Sequence, residues 1–107
     1  MTQLLQASKE QMQTWRRHLH QHPETEFSVF DTAAFVVQKL IEFGLVVHEG
    51  VGQIGVVAEL RKGTSSKAIG LRADMDALAI QELNEFSHRS LNDGRMHACG
   101  HDGHTTM

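Results

Sequence analysis

The stretch FGLVVHEGVGQIGVVAEL, residues 43–60, marks the point at which the chain changes from helical to extended patterning. Its two apolar, β-branched segments, residues 45–51 and 54–60, are separated by a glycine-bearing turn, which predicts two strands. Gly44 stands directly before them, where the left-handed residue at the end of a helix belongs. The stretch therefore predicts a helical first half and a sheet-forming second half.

Two helices are predicted before this stretch. In the first, side chains three and four residues apart form one stripe, and Pro23 ends the helix. The second runs from about residue 29 to 43, with Ser28 as its N-cap. The stripe of the first helix consists of Leu4, Leu5, Ser8, Met12, Trp15 and Leu19.

After residue 60 the pattern predicts a hairpin turn or loop at 62–67, a short strand at 68–73 and a polar loop at 84–94. A further helix is predicted to start at Thr105, two residues before the last residue. Two helices followed by short strands indicate an α/β fold within one domain, residues 1–107. Since a single helical turn is not stable alone, we expect a truncated chain.

Composition narrows the class of protein. The chain has 107 residues, 40% hydrophobic and 21% charged, with a formal net charge of -3, as in ordinary globular proteins. The sequence has no basic patch of the kind that binds nucleic acid. It also has no polybasic run or long apolar stretch of the kind that contacts or crosses a membrane. A single cysteine and an N-terminus without a secretory pattern favour the cytoplasm.

Histidine is the unusual component, with 8 residues in 107. One cluster adjoins the only cysteine, in Cys99-Gly100-His101. On a helix, residues two apart point in nearly opposite directions, so Cys99 and His101 converge only if Gly100 forms a turn. A converging thiolate and imidazole suit zinc or a similar ion, whereas the alternative is a buried free cysteine beside surface histidines.

Two further segments carry polar side chains suited to a site. Asp74 and Asp76 end the predicted strand at 68–73, where ligands bind in α/β sheets, although they also fit a solvated turn. His18 and His22 have the i, i+4 spacing of a metal pair, but Leu19 stands where a glutamate base would be. The alternative for this pair is a solvated helix face that ends at Pro23.

Together, three segments of the chain resemble the M20 metallopeptidase family. They resemble most its aminoacylase and hippurate hydrolase branch, which includes the plant auxin-conjugate hydrolases. The matching segments are RRHLHQHPE at 16–24, GLRADMDAL at 70–78 and DGRMHACGHDGH at 93–104, in family order. Two loop positions depart from the family pattern: Ala79 replaces a usual proline, and Thr25-Glu26-Phe27 replaces a usual Gly-Phe pair.

The resemblance implies the N-terminal part of a mixed-sheet, zinc-peptidase-like catalytic domain with helices packed on the sheet. It implies two divalent metal ions (zinc, manganese, cobalt or nickel), with Cys99 and His101 as metal ligands. Asp76 falls where the family has a site carboxylate, with Asp74 close by. His97 and His104 belong to the motif but are not assigned as ligands.

The activity implied by the resemblance is hydrolysis of the amide bond of N-acyl amino acids by a homodimer. Family members are several times longer, and their remaining length carries a Glu-Glu pair, further histidine ligands and a dimerisation domain. We therefore expect residues 1–107 alone to be inactive and to bind metal weakly. Two alternatives stay open: a cysteine hydrolase that uses Cys99, and a non-catalytic metal-binding or interaction module.

Overall fold

A computed structural model describes residues 2–107. The elements along the chain are α1 (Thr2–Gln21), α2 (Phe30–Glu42), β1 (Val46–Val51), β2 (Gly55–Glu59) and α3 (His101–Thr106). Helices α1 and α3 pack on each other, and α2 packs on both strands. The predicted α/β class is confirmed. No helix within residues 2–107 is long and apolar enough to cross a membrane.

Helix α1 follows the predicted stripe and ends at Gln21, two residues before Pro23. The stripe is buried only towards its end. Leu19 is buried, whereas Leu4 and Leu5 are largely exposed. The Trp15 ring lies 5.8 Å from the Phe43 ring, between ring centroids, so the second half of α1 also contacts the end of α2.

The start of α2 differs from the predicted cap. The N-cap is Val29, not Ser28, and it makes no side-chain capping bond. Glu24 takes that role: its carboxylate accepts hydrogen bonds from the Asp31 amide at 3.1 Å and from the Thr32 amide at 2.6 Å. A negative charge at this end also suits the helix dipole. A cap from seven residues upstream leaves no short-range sequence signal.

The end of α2 confirms the role predicted for Gly44. Gly44 has φ +79°, a left-handed conformation that costs little without a Cβ atom. Its amide donates to the Ile41 carbonyl at 2.9 Å, and the Leu45 amide donates to the Leu40 carbonyl at 3.1 Å. These bonds close the helix and turn the chain directly into β1.

The two predicted strands are present, and β1 and β2 pair in antiparallel orientation. Val46 pairs with Glu59 and His48 pairs with Val57, and the register shifts between His48 and Val51. The connecting turn contains Gly52 and Gln53, both with positive φ. The irregularity lies beside this turn, as β-bulges often do near strand ends.

Two expectations for the second half are wrong. Residues 68–73 form no strand, and Ile69 and Leu71 are 91% and 96% exposed, because no segment within residues 2–107 offers them a hydrogen-bonded neighbour. The preceding residues 62–67 are accordingly a loop and not a hairpin turn. Helix α3 begins at His101 and not at Thr105, because the left-handed Gly100 ends the preceding loop there.

Backbone hydrogen bonds join the segment that contains Asp76 to two other segments of the chain. The Ala77 amide donates to the Glu24 carbonyl at 2.7 Å, next to a parallel bridge between Thr25 and Ala77. Leu78 and Met96 exchange two antiparallel hydrogen bonds of 2.9 and 3.0 Å. The segment that contains Asp76 is therefore fixed against the segment that leads to Cys99 and His101.

The interior combines small apolar side chains with a charged cluster. His20 lies at its centre, 4% exposed, with Nδ1 2.9 Å from Asp102 Oδ2 and Nε2 2.7 Å from Glu82 Oε1. The Ser90 amide also donates to Glu82, and Arg16 Nε lies 3.3 Å from Asp102 Oδ2. The cluster joins α1, the 82–90 loop and the start of α3. The buried apolar side chains are Leu19, Val29, Ala33, Val37 and Ala77.

The Glu24 cap gives the first testable prediction. Glu24→Ala removes the acceptor of two α2 amides, so we expect the free energy of unfolding to fall by about 1–2 kcal/mol. Glu10→Ala, at an exposed position of α1, is the matched control and should change it by less than about 0.5 kcal/mol. Urea unfolding followed by circular dichroism measures both. Equal effects of the two substitutions would contradict the capping role.

The charged cluster predicts sensitivity to acid. Burial alone raises the pKa of the Glu82 carboxyl, but hydrogen bonds from His20, the Ser90 amide and Asn84 outweigh burial and lower this pKa below its usual 4.5. Because the folded state has the lower pKa, ionised Glu82 stabilises the fold above about pH 4.5, and this stabilisation is lost as the pH falls through the folded-state pKa.

We therefore expect the free energy of unfolding to decrease more steeply between about pH 5 and pH 3 for the wild type than for Glu82→Gln. Urea midpoints across this range measure the two slopes, and the carboxylates distant from the cluster contribute alike to both proteins. Parallel pH curves would show that Glu82 has an unperturbed carboxyl.

Candidate metal centre

The segment Cys99-Gly100-His101 forms the turn that its spacing requires. Gly100 has φ +94° and is the N-cap of α3, and His101 is the first helical residue. Cys99 lies before this junction, with an exposed free thiol. A side chain at Gly100 would meet no neighbouring atom within 4 Å but would be strained by the left-handed backbone. The glycine therefore shapes the turn through its conformation.

His101 is oriented by Asp76. Its Nδ1 lies 2.9 Å from the Asp76 carbonyl oxygen and 3.1 Å from Asp76 Oδ1. Both oxygens are acceptors, so Nδ1 carries the proton and donates to Asp76. In the neutral ring this leaves the Nε2 lone pair available. Metal-binding histidines are commonly held in this way, with a carboxylate or carbonyl on the other nitrogen.

Asp74 has a different environment. Its carboxylate forms an ion pair with Arg72, with Nε 2.8 Å from Oδ1, and its carbonyl accepts a hydrogen bond from the Thr105 hydroxyl at 3.0 Å. The hydrogen bond and charge of Arg72 lower the pKa of Asp74. Of the two predicted aspartates, Asp76 is the one whose carboxylate contacts His101, while Asp74 ties its segment to α3.

His97 is a buried imidazole without a partner. It is 5% exposed, and neither ring nitrogen has a hydrogen-bond partner within residues 2–107. Burial lowers the pKa of His97, with a further contribution from the charge of His20, so the neutral ring is favoured. An unpaired buried nitrogen is costly. His97 therefore has a free donor and a free acceptor beside the turn that bears Cys99.

The donor set fits a divalent metal of borderline softness, since it offers a thiol and an imidazole with a free nitrogen. Within residues 2–107, no group of three or more histidine, cysteine, aspartate or glutamate side chains is arranged to hold a metal. His104 is a further imidazole of the motif, and its ring centroid lies 6.0 Å from that of His101. The described residues thus offer an exposed thiol and an imidazole whose Nδ1 is held by a carboxylate.

The other histidine pair packs as part of the helical layer. The rings of His18 and His22 lie 4.6 Å apart, and His22 Nδ1 donates to the His18 carbonyl at 2.8 Å. His18 also stacks on Phe35 of α2 at 4.7 Å, and burial lowers the pKa of His18. This arrangement gives His18 a packing role between the two helices.

The sequence interpretation missed the contacts of His20. His20 lies in the sequence between His18 and His22, but it is buried, and it bonds to Asp102, directly after His101. A local signal was available, because His20 follows the buried Leu19 and lies four residues after Arg16 on the same face of α1. Its second partner, Glu82, lies 62 residues away and carries no such signal.

Comparisons with known proteins identify similar sequences. Residues 70–107 match the model of peptidase family M20/M25/M40. The chain is 54% identical over 91 residues to a hippurate hydrolase of Campylobacter jejuni, covering 85% of this chain and 24% of that protein. It is 46% identical over 104 residues to an N-acyl-L-amino acid amidohydrolase of Geobacillus stearothermophilus, covering 97% and 28%.

Structural comparison gives the same result. A crystal structure of a dinuclear metal-binding M20 peptidase from Bacillus subtilis superposes with a TM-score of 0.88 at 37% identity, covering 94% of this chain and 29% of that one. The chain therefore spans about a quarter of the length of the curated relatives it matches. The sequence motifs, the α/β fold and these similarities agree, and the chain belongs to the M20 peptidase family.

Proposed function

We propose that the protein hydrolyses the amide bond of N-acyl amino acids in a metal-dependent reaction, as an aminoacylase or hippurate hydrolase does. The observation that carries this proposal is the Asp76–His101 contact, which leaves His101 Nε2 free two residues from the exposed thiol of Cys99. The similarity to a hippurate hydrolase and an N-acyl-L-amino acid amidohydrolase supports the substrate class.

In this proposal Cys99 and His101 hold divalent metal, and the dinuclear peptidase of Bacillus subtilis supports a pair of ions. Zinc, manganese, cobalt and nickel all suit a mixed thiolate and imidazole donor set. When bound, the metal supplies Lewis acidity that favours attack on an amide carbonyl. The structural contribution of this chain is to place the two ligands on either side of Gly100.

Asp76 acts through His101. By accepting a hydrogen bond from Nδ1–H it fixes the tautomer and the ring plane. The exposed position of Cys99 allows its thiol to lose a proton on binding metal, since the thiolate is the ligand form. Asp76 is thus a site carboxylate that positions a ligand.

The 107 residues supply only part of this centre in our proposal. A catalytic zinc site usually has three protein ligands, whereas Cys99 and His101 provide two. The chain spans about a quarter of its curated relatives, so we propose that residues 1–107 are the N-terminal portion of a longer catalytic chain. That longer protein would supply the other ligands and the general base, and it would act as a cytoplasmic homodimer.

Hydrolysis assays test the proposal. We expect the longer protein to release the amino acid from benzoyl and acetyl conjugates, to lose activity to a chelator and to regain it with added zinc or manganese. We expect no turnover from the 107-residue chain alone, because its ligand set is incomplete.

Two outcomes would contradict the proposal. Metal-dependent turnover by the 107-residue chain at the rate of the longer protein would show that Cys99 and His101 suffice. Activity that survives the chelator but is lost to a thiol alkylator would instead indicate Cys99 as a nucleophile. Alkylation in the presence and absence of bound zinc is the control, since a metal-bound thiolate should be protected.

A further inference from the structure

We infer that His20 is a positioning residue for the metal-binding turn, acting from α1 through Asp102. This inference rests on the proposed metal site at Cys99 and His101. His20 is 4% exposed and lies within hydrogen-bond distance of Asp102 on one side and Glu82 on the other. The three side chains are brought together from positions 62 and 82 residues apart in the sequence.

His20 bridges two buried carboxylates. Nδ1 lies 2.9 Å from Asp102 Oδ2, and Nε2 lies 2.7 Å from Glu82 Oε1. The Asp102 and Glu82 side chains are 1% and 2% exposed, so His20 supplies a hydrogen-bonding partner that water cannot readily replace.

Asp102 transmits this constraint to the turn. It is the residue after His101, and its Oδ1 accepts a hydrogen bond from the Gly103 amide at 2.9 Å. Its other oxygen, Oδ2, is held by His20 and approached by Arg16. The carboxylate therefore fixes the first turn of α3 against α1. Any displacement of Asp102 would carry the His101 backbone with it.

Glu82 anchors His20 from the opposite side. Its carboxylate accepts hydrogen bonds from His20, from Asn84 and from the Ser90 amide, which ties the 82–90 loop to α1. His20 cannot follow a movement of Asp102 without breaking this second contact. The two carboxylates thus hold the His20 ring in one place. The contact of Asp102 with this ring therefore fixes the position of α3 relative to α1.

His20 and Asp76 constrain different degrees of freedom. Asp76 contacts the His101 ring and sets its orientation, whereas His20 sets the position of the backbone on which that ring stands. Cys99 is exposed and makes no side-chain hydrogen bond within residues 2–107, so its distance to His101 depends on the turn itself. Loss of His20 should therefore weaken metal binding without changing any ligand.

Cobalt titration of the 107-residue chain tests this inference, with the thiolate-to-cobalt charge-transfer band as the readout for Cys99. We expect His20→Gln to bind Co²⁺ roughly 10- to 100-fold more weakly than the wild type, the effect typical of residues that orient ligands. Glu82→Gln retains the hydrogen-bond acceptor but not its charge, so we expect a smaller loss. Amide hydrogen exchange at residues 99–103 should be faster in both variants.

Three control variants separate positioning from general stability. His22→Gln makes the same chemical change at the exposed residue directly after α1 and should leave the band and the affinity unchanged. Val37→Ala removes buried volume in α2 and should lower the unfolding midpoint without lowering the Co²⁺ affinity of the folded chain. Cys99→Ser should abolish the band.

The Co²⁺ affinities of the variants decide between positioning, stability and absence of the metal site. Equal Co²⁺ affinity in His20→Gln and the wild type would overturn the positioning role and leave the metal site intact. An equal loss of affinity in Val37→Ala would overturn it too, because the effect would then be one of stability. A wild type without a Cys99-dependent band would overturn both the inference and the proposed site. If His20→Gln fails to fold, Glu82→Gln decides, and unchanged affinity in it contradicts the inference.

Discussion

The hydrogen bonds of His20 to two buried carboxylates are the constraint on which the arrangement of this chain depends. They join α1 to the 82–90 loop through Glu82 and to α3 through Asp102. The apolar interior is small and contains short side chains such as Ala33 and Ala77. The polar cluster therefore determines how elements far apart in the sequence meet.

Such a cluster specifies an arrangement more than it adds stability. Two carboxylates and an imidazole lose hydration on burial, and their hydrogen bonds offset that loss only when every partner is in place. Removal of one partner leaves an unpaired buried charge, at a cost of about 3–5 kcal/mol. The same coupling links the structural interior to the site, because Asp102 is adjacent to His101.

The sequence predicted the local parts of this structure and missed the distant ones. Helical spacing and Gly44 predicted α1 and α2, and β-branched segments predicted β1 and β2. Ser28 was wrong as a cap because Glu24 reaches the α2 amides from further upstream. The strand at 68–73 was wrong because a strand depends on a neighbour, which composition does not reveal.

The candidate site was predictable to a similar extent. The motif and its resemblance indicated Cys99, His101 and Asp76, and the structure adds the physical link between the last two. It does not show a contact between Cys99 and His101, whose roles as ligands stay a prediction. The burial of His97, whose ring has no hydrogen-bond partner within residues 2–107, could not be recognised from sequence. The His20 ring, 6.5 Å from the His97 ring, belongs to a segment distant along the chain.

Zinc titration of the ligand variants tests the central claim most directly. The account predicts that Cys99→Ser and His101→Ala each weaken zinc binding, whereas His18→Ala does not, since His18 packs on Phe35. Zinc absorption spectroscopy of the wild type should then show sulfur at about 2.3 Å beside nitrogen at about 2.0–2.1 Å. Binding that survives loss of Cys99 and His101 but disappears with His18→Ala would contradict the account.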